Sequence, residues 1–271
     1  MATGEAAGKT SVNEATAGRV TIRKCEALEE MRACFALQKE VWKFEDADLI
    51  PVRMFVVASK IGGQVIGAFV ETDGANELIG FAVAIPGMRN GHCYLHSHML
   101  AVRQHYRNGG LGRRIKLHQR EDALARGFDL MEWTFDPLEI KNAYLNIEKL
   151  GALARRYNVN QYGITTSPLQ GGLPTDRLVA EWWMKSRRVT AVLNGGRRPD
   201  FEPRASIAVP AQIYDWKGSA ATRPRALEVQ TKNREQFNSA FAEGLVVLGY
   251  ERNGDGNGRF LLGSWDEEFG Y

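Results

Sequence analysis

Residues 105–116 read HYRNGGLGRRIK, directly after the apolar run HMLAV (98–102) and directly before a helical pattern. A chain that passes from an extended apolar run through bare backbone into a helix builds a strand–turn–helix unit. Such units belong to layered domains in which helices cover a sheet. The turn also has chemistry of its own. The first amide N–H groups of a helix lack partners and carry a partial positive charge, which suits a phosphate. Glycine at 109, 110 and 112 lets a phosphate approach without a Cβ in the way. From Arg103 to Arg120 there are six Lys/Arg residues and no acid. The plain alternative is a turn followed by a solvated basic helix face. Two familiar phosphate loops fit poorly. A P-loop needs Gly-Lys-Ser/Thr where Gly112 is followed by Arg113-Arg114, and a dinucleotide fingerprint needs glycine where Ile115 stands.

The rest of the chain supplies the layers. VTIRKC (20–25) reads as a strand and 27–42 as a helix with Leu28, Met31, Phe35 and Trp42 on one side. Apolar runs at 55–61, 64–72 and 77–86 read as strands. They end at Gly62-Gly63, Asp73-Gly74 and Pro86-Gly87, which read as tight antiparallel connections. A strand at 94–102 leads into the glycine turn. A helix at 111–126, a strand at 128–135 and a helix at 142–150 closed by Gly151 follow. Beyond it, 152–163 and 177–184 read as strands and 194–204 as a turn-rich linker. Residues 225–244 read as a helix, with Phe237, Ala240 and Phe241 inward. LVVLGYER and RFLLGSW, joined by NGDGNG, read as a hairpin. The expected organisation is a flexible tail (1–18), an α+β layered domain (19–193) and a C-terminal α/β extension (194–271) packed on it. One helix and one hairpin bury too little apolar surface to fold alone.

Composition narrows the function classes. The formal net charge of +3 falls short of a nucleic-acid footprint. Three cysteines (Cys25, Cys34, Cys93) make no CxxC pair and no even framework, which suits a reducing compartment. No apolar run approaches a membrane span and no secretory leader opens the chain, so the expectation is a soluble, cytoplasmic protein.

LAV (100–102) followed by RNGGLG (107–112) resembles the acyl-CoA-binding segment of the GNAT superfamily of N-acyltransferases. That motif, Arg/Gln-x-x-Gly-x-Gly/Ala, opens a helix just after a strand, and Arg107, Gly110 and Gly112 match it in register. Gly127, LMEWTF and NAYLNIEKLGA resemble the family's helix–strand–helix ending. The likeness runs over roughly residues 20–165, and HSHMLAV…EWTFDPL…KLGA resembles a bacterial subgroup. The resemblance implies a GNAT-like, mostly antiparallel central sheet flanked by helices. It implies that the amides of Asn108, Gly109, Gly110, Leu111, Gly112 and Arg113 hold the coenzyme A pyrophosphate. The backbone of Leu100, Ala101 and Val102 would pair with the pantetheine arm. The family's usual tyrosine, the acid for the leaving thiolate, falls at Ile147; Tyr144, one turn earlier, is the hydroxyl this helix offers. The usual asparagine is displaced, with Asn142 and Asn146 as candidates, and Asn142 joins the coenzyme set.

Acyl transfer to an amine needs a group to take the amine's proton. Alternation puts His96 and His98 on one strand face, and in several members of the family a carboxylate base occupies the position held here by His96. A histidine near its unperturbed ~6.5 suits that task, against the alternative of a hydrogen-bonded core histidine. His96 and His98 are also spaced as a pair of zinc ligands. His92 lies too far along the strand, about 13 Å, and Cys93 points away, so no metal is expected. Glu132 and Asp136 are further candidates for base or amine binding, against ordinary strand-end acids. Of Trp182-Trp183, one is expected in the core and the other beside the acceptor. Thr175-Asp176-Arg177 reads as a turn with a locally bonded aspartate.

The expected function is acyl-CoA-dependent N-acyl transfer by direct attack. Acetyl-CoA or another acyl-CoA, succinyl-CoA included, is the co-substrate, and a small-molecule amine or amino acid is the acceptor. Neither nucleic acid nor membrane is expected as a partner, and a homodimer is compatible with the pattern. The alternatives are a non-catalytic acyl-CoA sensor on the same fold and a nucleotide or nucleic-acid binder using the basic helix, with steeply salt-dependent binding.

Overall fold

The computed structural model describes residues 19–72, 75–163, 165, 167, 170–265 and 267. The expected tail, 1–18, and Asp73-Gly74 lie outside them. Among the described residues ten strands form one sheet, β1 (Val20–Lys24), β2 (Gln64–Thr72), β3 (Ala75–Arg89), β4 (His92–Val102), β5 (Leu130–Phe135), β6 (Leu153–Asn158), β7 (Arg177–Trp183), β8 (Ala205–Val209), β9 (Leu245–Arg252) and β10 (Gly258–Ser264). Their order is β1-β2-β3-β4-β5-β7-β6-β9-β10-β8. Every pairing is antiparallel except β4 with β5. Seven α-helices accompany the strands among the described residues. The sheet is mostly antiparallel and flanked by helices, as expected.

On one face, α1 (Leu28–Trp42) and α2 (Val52–Lys60) cover β2–β4. Met31, Cys34 and Leu37 recur at helical spacing and pack with Phe55, Phe69 and Phe81. On the other face, α3 (Leu111–Ala125) buries Leu111 and Ile115 against Ile66, Ile79 and Ala82. The largest core lies beyond, on the same face, under α4 (Ile140–Tyr144) and α7 (Arg223–Ala242).

Three sequence expectations are corrected. Residues 55–61 are not a strand; they lie mostly in α2, which starts after Pro51 and buries Phe55 and Ala58, one turn apart, while Val57 stays exposed. β-Branched composition suggested a strand, but one-sided burial decides. Gly62-Gly63 therefore ends a helix; Gly62 takes φ 89° there. Pro86-Gly87 makes no turn: β3 runs through both to Arg89, with Pro86 opposite Leu95. The hairpin is at Asn90-Gly91, both at positive φ, a legible Asn-Gly signal that the apolar pattern overshadowed. Finally, α5 (Arg187–Gly195), β8 and α6 (Ile213–Gly218) escape the sequence pattern because each is short and lacks a clear period.

The C-terminal strands continue the same sheet, with β9 meeting β6 at Ala154↔Val247. Ile207, Phe237, Val247 and Phe260 share one core with Trp133, Ile147 and Trp182. Asp176 does more than close a local turn. Fully buried, it accepts from the Tyr157 hydroxyl (2.7 Å) and pairs with Arg234 on α7 (2.8 Å).

Candidate active site at the splayed strands

β4 and β5 touch through only two register pairs, Leu95↔Met131 and His96↔Glu132. After these the strands part, and beyond the vertex neither finds another strand partner on that side among the described residues, an open edge on each in mid-sheet. A bulge in β4 accompanies the parting. Met99 faces Val83 and Ser97 faces Ala84, so His98 is an extra residue, and a bulge bends its strand and increases its twist. His96 and Glu132 thus mark the vertex of a V, with their side chains on the α1/α2 face.

The glycine turn stands at the open end of β4. Asn108 (φ 66°) and Gly110 (φ 80°) adopt the left-handed region, and Gly110 caps α3. A Cβ built at 109 or 110 would meet nothing within 4 Å, so the approach is clear. Arg107 N–H donates to Gln104 O, and Arg114 N–H to Gly110 O. Between them, no backbone N–H from Asn108 to Arg113 finds an acceptor among the described residues. Leu111 turns its side chain into the core and contributes only its amide to this surface. Arg107 fastens the turn to the strand: its Nε donates to Val102 O at 2.8 Å. That carbonyl is therefore already engaged, while Leu100 and Val102 lie half-buried beneath α3. Asn142 is exposed in the first turn of α4, and Asn146 is buried.

At the vertex the electrostatics run against the sequence expectation. His96 is half-buried, and burial, reinforced by His98, Lys116 and Arg156, pushes its imidazole down to about 4. It is neutral at physiological pH. His98, the more exposed of the two, has its ring 6.1 Å from that of His96 and is lowered by burial as well. Glu132 is buried, and its Oε1 accepts from Arg89 (2.7 Å) and Arg156. Its Oε2 accepts nothing among the described residues. Glu181 on β7, its register partner, is equally buried and holds Arg155 and Arg156, both at 3.1 Å, and the Trp183 indole N–H. Sequence reading did not single out Glu181, Arg89, Arg155 or Arg156. Alternation would send Arg155 and Arg156 to opposite faces; a bulge between Ala154 and Tyr157 lets both reach Glu181. The consecutive arginines were the available signal.

Other candidates separate. Asp136 is tied to Lys217 (2.9 Å) and to Leu138 N–H, a structural link between α6 and the end of β5. Both Trp182 and Trp183 are buried, so neither lines an open cleft. Tyr144 stands against the C-terminal hairpin, with Lys149 and Arg252 over its ring. It borders a cavity of about 810 Å³ shared with Tyr250 and Arg252, which neither the glycine turn nor β4 or β5 lines. Ile147 is fully buried. Nearer the V, the Tyr162 hydroxyl lies 3.0 Å from Thr134 Oγ1, two residues past Glu132 on β5. Lys116, buried on the α3 face, touches Ser97 Oγ (3.0 Å) and lies 3.7 Å above the Trp133 ring; burial holds it well below the usual lysine range. No three His, Cys, Asp or Glu side chains gather to hold a metal among the described residues. No described helix is long and apolar enough to cross a membrane.

No protein-family model matches the chain, and no curated protein matches its sequence. Solved structures do match it. The ribosomal-protein-S18-alanine N-acetyltransferase from Escherichia coli is 16% identical, with 62% of this chain and 97% of that one covered at a TM-score of 0.47. The NatC complex bound to Gag peptide and CoA is 18% identical over 61% of this chain and 99% of the matched one, at 0.48. An acetyltransferase of the GNAT family from Streptococcus pneumoniae is 17% identical over 60% and 98%, at 0.46. Each is matched over nearly its whole length, and this chain extends beyond all three.

Proposed function

We infer that the chain is an acyl-CoA-dependent N-acyltransferase, moving an acetyl or other short acyl group, succinyl included, to the amine of a small molecule or amino acid. One observation carries this reading. Two neighbouring strands part at His96–Glu132, and the open end of one runs into a turn with six consecutive unclaimed amides. An open strand edge offers hydrogen bonds to an extended amide-bearing arm, and a helix N-terminus offers them to a diphosphate. Acyl-CoA is a ligand with both parts in that order.

The amides of 108–113 hold the pyrophosphate, and the β4 edge pairs with the pantetheine arm up to Val102, whose carbonyl Arg107 already occupies. The thioester carbonyl reaches the vertex, where a strand N–H donates to the oxygen that gains charge. The acceptor comes from the α1/α2 face, and its nitrogen attacks the carbonyl carbon. The C–N bond forms, the C–S bond breaks, and the proton shed by the amine balances the one the thiolate takes. His96, neutral and without a hydrogen-bond partner among the described residues, accepts from the attacking amine. With an imidazole near 4 it passes the proton on to water instead of keeping it.

The deciding experiment is an acceptor screen with acetyl-CoA and succinyl-CoA, monitored by release of free thiol, beside calorimetric titration of each acyl-CoA. Amine-dependent thiol release supports transfer. Tight acyl-CoA binding with no release from any amine favours the sensor reading, which the buried Ile147 at the usual tyrosine position motivates. Absence of binding overturns both.

A further inference from the structure

The side of the vertex that meets the acceptor is built in two tiers. The lower tier is acidic and buried: the side chains of Glu132 and Glu181 are 3% and 0% exposed. The upper tier is guanidinium: Arg89, Arg155 and Arg156 are 26%, 41% and 39% exposed. An incoming molecule therefore meets cations first, and three guanidiniums over two carboxylates leave one positive charge in surplus. The carboxylates act mainly as anchors. Glu181 receives Nε of both Arg155 and Arg156, and Glu132 receives an Nη of Arg89 and of Arg156. Guanidiniums held this way lose little freedom when they bind again. Their remaining donors, among them Nη2 of Arg89 and Nη1 of Arg155 and Arg156, meet no acceptor among the described residues.

We propose that Arg89, Arg155 and Arg156 form a carboxylate-binding subsite, so that the acceptor is an amine whose own molecule carries a carboxylate. This inference rests on the acyl-transfer reading and narrows its substrate class. Planar guanidiniums match a carboxylate through paired hydrogen bonds. The same surplus charge disfavours the ammonium form of an amine held beside it, which favours the neutral nucleophile that attack requires. A simple cationic amine with no anionic group would be repelled. Glu132 Oε2, the one carboxylate oxygen of the anchor without a donor among the described residues, remains to accept from the amine.

The test sets the protein amino acids against their primary amides as acceptors for the wild-type enzyme, with phosphoethanolamine against ethanolamine as a second arm. The expected result is a kcat/KM at least tenfold higher for the acids, arising mainly in KM. Arg155→Gln, which alters the most exposed member, should bring the acid-to-amide ratio close to one, and Arg155→Lys should restore part of it. The ratio is insensitive to the fraction of variant that folds. Equal use of acids and amides, or a preference confined to phosphoethanolamine, overturns the carboxylate subsite while leaving acyl transfer standing. If no acceptor releases thiol, the acyl-transfer reading falls by itself. Calorimetry of the same acids and amides then decides the subsite: acid-selective binding lost in Arg155→Gln upholds it, and indifference overturns it.

Discussion

His96 carries the most weight of any single residue, because it ends the pairing of β4 with β5 and has no hydrogen-bond partner among the described residues. If it accepts from the attacking amine, His96→Ala should lower kcat/KM by about 10²-fold, with acyl-CoA affinity little changed. Loss of thermal stability with an unaltered rate per folded molecule would mark a structural histidine instead. Its depressed pKa makes a second prediction. The unfolded chain takes up this proton near its usual ~6.5, the folded protein only near 4, so between these values the unfolded state binds more protons. Stability should therefore fall as pH drops from about 6.5 to 4, by at most on the order of 3 kcal/mol from this group. Melting temperatures across that window should decline less steeply in His96→Gln. The pH–rate profile of the wild type should show no inflection near 6.5 from this residue; an inflection there that His96→Gln abolishes would contradict the burial argument.

Among the elements, the turn from β4 into α3 is where sequence and structure agree most closely. Glycine suits position 110 because the backbone is left-handed there, at φ 80°, and the space where a Cβ would stand is open. A β-branched side chain would strain that conformation by about 1–2 kcal/mol and stand over the unclaimed amides. Gly110→Val should weaken acyl-CoA binding at least tenfold, about 1.4 kcal/mol, in a protein that remains folded. Unchanged affinity by calorimetry would remove the diphosphate from this turn. The guanidinium tier is a different kind of element, since it depends on a bulge. Strand alternation separates Arg155 from Arg156, and only the irregular pairing of β6 with β7 brings both to Glu181.

At the scale of the whole molecule, the C-terminal segment is a continuation of the sheet. β8, β9 and β10 extend it past β6, and Phe237 of α7 packs on Tyr157 and Phe260 within the core that also holds Trp182. Phe237→Ala should destabilise the protein by about 3–5 kcal/mol. Because the core is shared, that loss should appear as one shifted unfolding transition, read by calorimetry. Two separate transitions, or cooperative unfolding of 205–271 expressed alone, would show that the extension folds independently. The tie between Asp176 and Arg234 points the same way, joining the loop before β7 to α7 across the boundary between the two segments.

Local pattern was legible in the chain: the glycine turn at the mouth of α3, the apolar runs of β2–β5, and the helices α1, α3 and α7, although in α1 the buried side runs through Met31, Cys34 and Leu37 and leaves Leu28 exposed. Each depends on neighbours within a few residues, where periodicity and backbone freedom act directly. Residues 55–61 show the limit, because β-branched residues suit either a strand or a one-sided helix until a sheet face exists to bury Phe55 and Ala58. The parting of β4 and β5, the meeting of Glu132 with Glu181, the three guanidiniums above them and the lowering of His96 belong to the folded molecule alone. They join residues as far apart as Arg89 and Glu181 through bulges and register. Charge and burial at a point in space are sums over every element packed there, and no one stretch of sequence carries that sum.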